Sequence, residues 1–470
     1  MGKEDLPPAT PPATGDGKTD HELPGYSSAR TDRGVLRSEH VYTLETGSKP
    51  KAWLLLKVNS KAKDPKSLPL FFDNDKITGK VELDLEKTEH IQGVTLTLSG
   101  ETLQVGQDPV PFYSQVITLW STEMGDPKNP TPVPEVGGSK SKVKAASPKL
   151  KGTYSWDFSI TLPEETQASD TPKGPKRTFP LPPSFTERGS AAYVDYKLTV
   201  TIKRGSFRVD NTLATSVAHY PRRRPPPPSD LQRASYIDGG QMVGPDADPA
   251  GWKVLPPVKI QGTLFDTKQV EVEVSLALGT PLIFSLNSPV PLWITLKSAD
   301  SQLLDLLSTP SSFLIRLKRT LAVGPDASDN NREERSDTTF PQVAGRGIVW
   351  PLSETQGSAE TSAAGGERVL QGEVNIAVTT KISFVFPRVS LRYAVELLPF
   401  AAAGFTTTAP PGVPLISQHI EVVTDPVEGL PPRSRAPPGY VAKAEAEYDN
   451  AIGVLTAANQ RFLHFHHSMG

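Results

Sequence analysis

The chain has 470 residues, 37% of them hydrophobic, with 50 basic and 52 acidic side chains and a formal net charge of -2. That length supplies roughly two to four domains with real cores, and the near-neutral balance excludes nucleic acid or another polyanion as a partner except through a local patch. The absence of cysteine excludes a disulfide framework, thiolate metal sites and cysteine nucleophiles, and fits a reducing compartment, the cytosol.

Residues 1–35 are polar and proline-rich and read as a disordered tail. The opening "MGKEDLPPATPPATGDGKTD" has no apolar signal-peptide core, and Leu6 stands where a myristoylation signal needs Ser or Thr. No stretch approaches the roughly 20 apolar residues of a membrane span. Secretion, spanning and that lipid anchor are therefore not expected.

Alternation with a period of two begins in "KITGKVELDLE", where Ile77, Val81, Leu83 and Leu85 share one face and Lys80, Glu82 and Asp84 the other. It recurs in "GVTLTLSG" (Val94, Leu96, Leu98), "YSWDFSITLP" (Tyr154, Trp156, Phe158, Ile160, Leu162) and "YVDYKLTVTIKR" (Val194, Tyr196, Leu198, Val200, Ile202). Between 121 and 150 the pattern lapses into a polar segment that reads as a mobile insertion.

A sharper break follows at "HYPRRRPPPPSDLQ", whose prolines Pro225 to Pro228 predict a stiff, extended connector. Alternation then returns in "QVEVEVSLALG", with Val270, Val272, Val274, Leu276 and Leu278 on one face. It continues in "PLWITLKS", "SFLIRLKR", "GEVNIAVTTKISFVF" and "SLRYAVELLP", with a polar loop at about 324–346 dividing them. Strands with one apolar face must pack face to face. The expected fold is all-β: two tandem antiparallel β-sandwich domains of immunoglobulin-like type over 36–222 and 251–425, a proline-rich linker at 223–250, and a tail over 426–470.

The tail carries "RAPPGYVAKAEAEYDNAIGVL". Pro437, Pro438 and Tyr440 form a Pro-Pro-x-Tyr motif: two prolines preset a polyproline II ridge at little ordering cost, and the tyrosine fills an adjacent pocket. From the proline and tyrosine contents, chance supplies about 0.1 such matches in a chain of this composition. Val441, Ala444, Tyr448, Ala451, Leu455, Ala458, Phe462 and Phe465 then mark the seam of an amphipathic helix, weakened by Gly453.

The order of these elements resembles the arrestin-like family. The residues that carry the likeness are "FDNDKITGKVELDLEKTEHIQGVTLTLSGET", "FPLPPSFTERGSAAYVDYKLTVTIKRG" and, more diffusely, "FPRVSLRYAVELLP". The resemblance implies a pair of sandwiches joined by a short hinge, with no catalytic centre and no cofactor. Its α-arrestin branch implies an adaptor that links membrane cargo, through the cytoplasmic tails of transporters or receptors, to a WW-domain ubiquitin ligase of the HECT type for endocytosis and sorting. Pro437, Pro438 and Tyr440 match the ligase-binding motif of that branch, and its place of action is cytoplasmic, with peripheral recruitment to the plasma membrane or endosomes. The alternative is an arrestin-fold scaffold of the retromer-subunit kind that sorts cargo without ubiquitin.

Three other features carry weaker readings. Arg222, Pro225 and Pro228 have the spacing of an SH3 ligand, although a spacer between lobes needs the same prolines. Lys140, Lys142, Lys144, Lys149 and Lys151 cluster without an intervening acid, as a contact for an anionic membrane, as ubiquitin acceptors, or simply as a solvated loop. His464, His466 and His467 lack metal-ligand spacing. No phosphate loop, nucleophile elbow or zinc motif appears, and an enzyme, such as a carbohydrate-active sandwich, is not expected.

Overall fold

The computed structural model describes residues 38–46, 49–130, 146–171, 173–205, 208–240, 242–330, 335–352, 366–430 and 432–440. The terminal tail before 38, residues 131–145 of the insertion and the helix expected after Tyr440 lie outside the described residues.

The first set of strands comprises β1 (Ser38–Thr46), β2 (Lys49–Ser60), β3 (Leu70–Phe71), β4 (Lys76–His90), β5 (Gly93–Gln104), β6 (Val110–Ser121), β7 (Lys149–Thr161), β8 (Glu165–Ala168), β9 (Arg177–Pro180), β10 (Ala192–Lys203) and β11 (Asn211–His219). They form a four-stranded sheet in the order β1-β2-β4-β7, a five-stranded sheet in the order β3-β11-β10-β5-β6, and a small β8-β9 hairpin. Strict alternation drives the pairing of these sheets. Ala192, Val194, Tyr196, Leu198, Val200 and Ile202 of β10 are all buried, as are Ile77, Val81, Leu83 and Leu85 of β4, and they join one apolar cluster. Tyr154 stays half-buried and stacks on Trp156 instead.

The second set opens with helix α1 (Asp230–Asp238), then β12 (Trp252–Val254), β13 (Val258–Leu264), β14 (Lys268–Gly279), β15 (Ile283–Ser285) and β16 (Pro289–Lys297). Helix α2 (Ser301–Leu307) leads into β17 (Ile315–Gly324), β18 (Thr339–Pro351), β19 (Glu367–Asn375), β20 (Phe384–Phe386), β21 (Arg388–Leu397), β22 (Phe405–Thr407) and β23 (Ile416–Val423). Here the two layers are one continuous sheet, because β18 pairs with β17 through Thr339–Arg346 and with β19 through Gly347–Pro351. The corner falls at Gly347, where a Cβ would lie 2.7 Å from the side chain of Ile315. Only glycine lets the backbone pass that close, so this strand can switch layers. The polar loop expected to reach 346 ends before Thr339, since the residues after it are needed as this corner strand.

The two lobes meet along an aromatic seam. Phe386 of β20 is 1% exposed, with its ring edge-on to Phe112 at 4.8 Å and to Phe179 at 5.6 Å. Phe112 in turn meets Tyr196 at 5.6 Å, and Phe384 meets Phe185 at 5.7 Å. Edge-to-face rings at such separations add to the gain from burial. Beside them Arg319 of β17 forks onto Glu187 of the first lobe, with Nη1 donating to Oε1 at 2.7 Å and Nη2 to Oε2 at 2.5 Å. Bidentate geometry is what makes a pair removed from water favourable. Tyr393, in register with Arg319, donates its hydroxyl to Lys381 O at 2.6 Å. Burial pushes that hydroxyl well above its ordinary value, against the pull of Arg319.

Phe386→Ala is expected to cost about 3–5 kcal/mol in chemical denaturation, as for a large ring deleted from a core. It should also raise the radius of gyration in solution scattering as the lobes loosen; an unchanged midpoint and radius would mean that the seam does not hold them. A double-mutant cycle on Arg319→Ala and Glu187→Ala should give a coupling of about 1–3 kcal/mol, and strict additivity of the two losses would remove the pair from the account of the interface.

Candidate functional site

The connector between the lobes is extended, as its prolines require, and it is braced rather than free. Arg222 bonds Asp425 through Nε at 3.0 Å and Nη2 at 2.9 Å, Arg223 bonds Glu421, and Arg224 bonds Glu428 at 3.1 Å. The backbone joins in: Arg223 N donates to Thr424 Oγ1 at 2.7 Å, and Asp425 N donates to Arg223 O at 2.9 Å. Arg222 N also donates to Asp73, whose carboxylate meets the buried ring of His219 at 2.9 Å. Of the SH3-spaced residues, Arg222 is thus engaged, Pro225 is buried and Pro228 is half-buried.

Alongside this connector the lobes leave an open cleft of about 1270 Å³, with Phe72, Asp75 and Phe179 on one wall and Val385, Arg392 and Glu421 on the other. Among its charges Lys61 is paired with Asp75 and Arg223 with Glu421. Asp195, a carboxyl held up by burial although Lys197 pulls it back, stands opposite Glu101 across β10 and β5, away from this cleft. Among the described residues no cluster of His, Asp or Glu could hold a metal ion, and no helix is long and apolar enough to cross a membrane.

The lysine cluster is divided: Lys140, Lys142 and Lys144 lie outside the described residues, and Lys149 and Lys151 are exposed on β7, on either side of the buried Leu150. His464, His466 and His467 also lie outside the described residues.

The proline-tyrosine motif sits on a docked strap. After β23 the chain runs back along the second lobe, where Leu430 is buried. Glu373 of β19, only 2% exposed, then captures the strap twice: Ser434 Oγ donates to Oε1, and Arg435 N donates to Oε2 at 2.9 Å. Asn375 Nδ2 donates to the same carboxylate at 3.2 Å. A buried carboxylate needs such donors, because taking it out of water unpaired is costly.

The Arg435 side chain reaches the other way, to α1. Its guanidinium lies 4.1 Å from the centre of the Tyr236 ring, with Nη1 donating to Gly240 O at 2.9 Å and Nη2 to Ser235 Oγ at 3.0 Å. Burial pulls the guanidinium down from its ordinary value, while Tyr236 and Glu373 hold it up. A cation over an aromatic face is attracted by the ring quadrupole.

Two residues further on, Pro437, Pro438, Gly439 and Tyr440 close a turn, in which Tyr440 N donates to Pro437 O at 3.2 Å and Gly439 has φ +94. Proline second and glycine third are the residues of a type II turn, because the third position requires a positive φ. The polyproline ridge expected from the sequence is therefore folded over at its end. The Tyr440 ring is half-buried and edge-on to Trp350 at 6.5 Å. Trp350 is itself held by a bond from Nε1 to Gln371 Oε1 at 3.3 Å.

Helix α1, the platform for Arg435, was not expected. Its signals are present: Ser229 accepts from Gln232 N as the N-cap, and Gly239 ends the helix in the left-handed region. What it lacks is an apolar stripe, since Leu231 and Ile237 are exposed and the helix is anchored through the buried Gln232, which donates to Gly251 O.

Comparison with known proteins adds a domain match to this geometry. No curated protein matches the chain at a significant level. Residues 63–218, from the loop after β2 to the last residues of β11, match the family model described as "Arrestin (or S-antigen), N-terminal domain". Together with the all-β pair of lobes, this match supports placing the protein in an arrestin-like family.

Proposed function

We propose that the protein is an arrestin-like adaptor that links membrane cargo, through cytoplasmic tails of transporters or receptors, to a WW-domain ubiquitin ligase of the HECT type. The arrestin match over 63–218 supports a trafficking adaptor at the level of the family, and domains of that family are generally scaffolds without catalysis. The observation that carries the finer reading is the exposed turn at Pro438 and Gly439, which stands at the end of the second lobe with Pro437 and Tyr440 on its flanks. Proline-rich ligands dock on aromatic grooves through a ridge that is already ordered, so little entropy is lost on binding. Two braced lobes supply a rigid cargo platform, and the turn supplies the tether. Lys149 and Lys151 are exposed and are acceptable both as ubiquitin acceptors and as contacts for an anionic leaflet, with recruitment at the plasma membrane or endosomes.

The half-buried Tyr440 favours a second reading, an arrestin-fold scaffold that sorts cargo without a ligase. The two readings part at one substitution. Under the first, Tyr440→Ala in the full chain weakens binding to a purified tandem WW-domain probe by about thirtyfold, the loss of one hot-spot anchor worth about 2 kcal/mol. Equal binding of the two proteins in titration calorimetry sinks it in favour of the second.

A further inference from the structure

The strap that carries the turn is closed by a contact a single modification can break. Ser434 is exposed, sits between Arg433 and Arg435, and lies three residues before Pro437. Its hydroxyl nevertheless donates to Glu373, a carboxylate that the strap itself helps to bury. The next residue supplies the other strap contacts, Arg435 N to Glu373 and the Arg435 guanidinium to Tyr236, Ser235 and Gly240. Tyr440 on Trp350 is the far end of the same docked segment. Serine, carboxylate, arginine and tyrosine thus form one clasp over the second lobe, and Pro437–Tyr440 is presented only as far as the clasp allows.

We propose that Ser434 is a phosphorylation site and that a phosphoryl group there opens the clasp and releases Pro437, Pro438 and Tyr440. This rests on the reading of that motif as a WW-domain ligand. The reaction is ordinary phosphoryl transfer from a nucleoside triphosphate by an arginine-directed kinase. Ser434 Oγ loses its proton to the kinase base and bonds the γ-phosphorus, the bond from that phosphorus to the β–γ bridging oxygen breaks, and nucleoside diphosphate leaves.

Three consequences act in the same direction. The hydroxyl donor to Glu373 is lost. A group of charge near -2 replaces it beside a buried carboxylate, where like charges repel with little screening. The new phosphate oxygens also compete for Arg433 and Arg435, drawing the guanidinium of Arg435 from Tyr236. A ligand that binds only the open strap has its apparent affinity reduced by the open fraction, so a strap closed about nine-tenths of the time binds about tenfold more weakly than one held open.

The test uses the full chain with phosphoserine installed at position 434, the unmodified chain, and Arg435→Ala, which weakens the clasp by removing the guanidinium contacts with Tyr236, Ser235 and Gly240 and leaves the motif intact. The phosphoserine and Arg435→Ala proteins are each expected to bind the tandem WW-domain probe about tenfold more tightly than the unmodified chain. A synthetic peptide spanning 432–443, with and without the phosphate, is expected to bind equally well in both forms. If neither peptide binds, the adaptor reading of the motif is wrong; if the peptides bind and the three proteins do not differ, the clasp is wrong.

A second measurement reads the clasp without any WW domain. Amide hydrogen exchange over 434–440 should accelerate in the phosphoserine and Arg435→Ala proteins, and unchanged exchange overturns the proposal. Incubating the unmodified protein with an arginine-directed kinase and Mg-nucleoside triphosphate should place phosphate on Ser434, read by mass spectrometry and absent in Ser434→Ala. Labelling confined to other residues removes the site.

Discussion

Two lobes that must act as one platform need a contact that neither can satisfy alone, and Phe386 provides it. The ring belongs to the second lobe and is 1% exposed, yet its aromatic neighbours Phe112 and Phe179 belong to the first. Separating the lobes would put that ring in water, together with Phe384 and the Arg319–Glu187 fork. Apolar burial supplies most of the hold. The fork adds direction, because two parallel bonds tolerate little rotation between β17, which bears Arg319, and the loop after β9, which bears Glu187.

Once the lobes are fixed, the connector and the segment after β23 have to run side by side, and their sequences suit that arrangement. Arg222, Arg223 and Arg224 meet Asp425, Glu421 and Glu428. Each pair is partly exposed and contributes little alone, but three in a row with backbone bonds between them set a register. That register brings α1, which follows the connector, next to the strap, which follows β23. The site is thus a meeting of two segments about 200 residues apart in sequence, joined by Arg435 on Tyr236.

This arrangement explains why a binding motif can be legible in the sequence while its availability is not. Pro437, Pro438 and Tyr440 stand out by residue type and spacing alone. Whether they are offered depends on Glu373, a buried acid in a strand of mixed polar and apolar residues, and on Trp350 near the end of the corner strand. No local pattern marks Glu373 as a partner of residue 435. Helix α1 was equally obscure, because its anchoring is polar and its apolar residues face water.

What the sequence by itself determined is the set of strands and their inward faces. Alternation is a property of each segment, so Val270, Val272, Val274, Leu276 and Leu278 could be assigned to the core before any pairing was known, and all are buried. The turn at Pro438 and Gly439 is also locally encoded, by proline at its second position and glycine at its third. Only the tertiary structure decided which strand turns the corner between layers, how Phe386 crosses from one lobe into the other, and where the strap comes to rest. These depend on contacts between distant residues whose energies are comparable for many pairings, and the close approach at Gly347 or the burial of Glu373 selects among them only once the chain is folded.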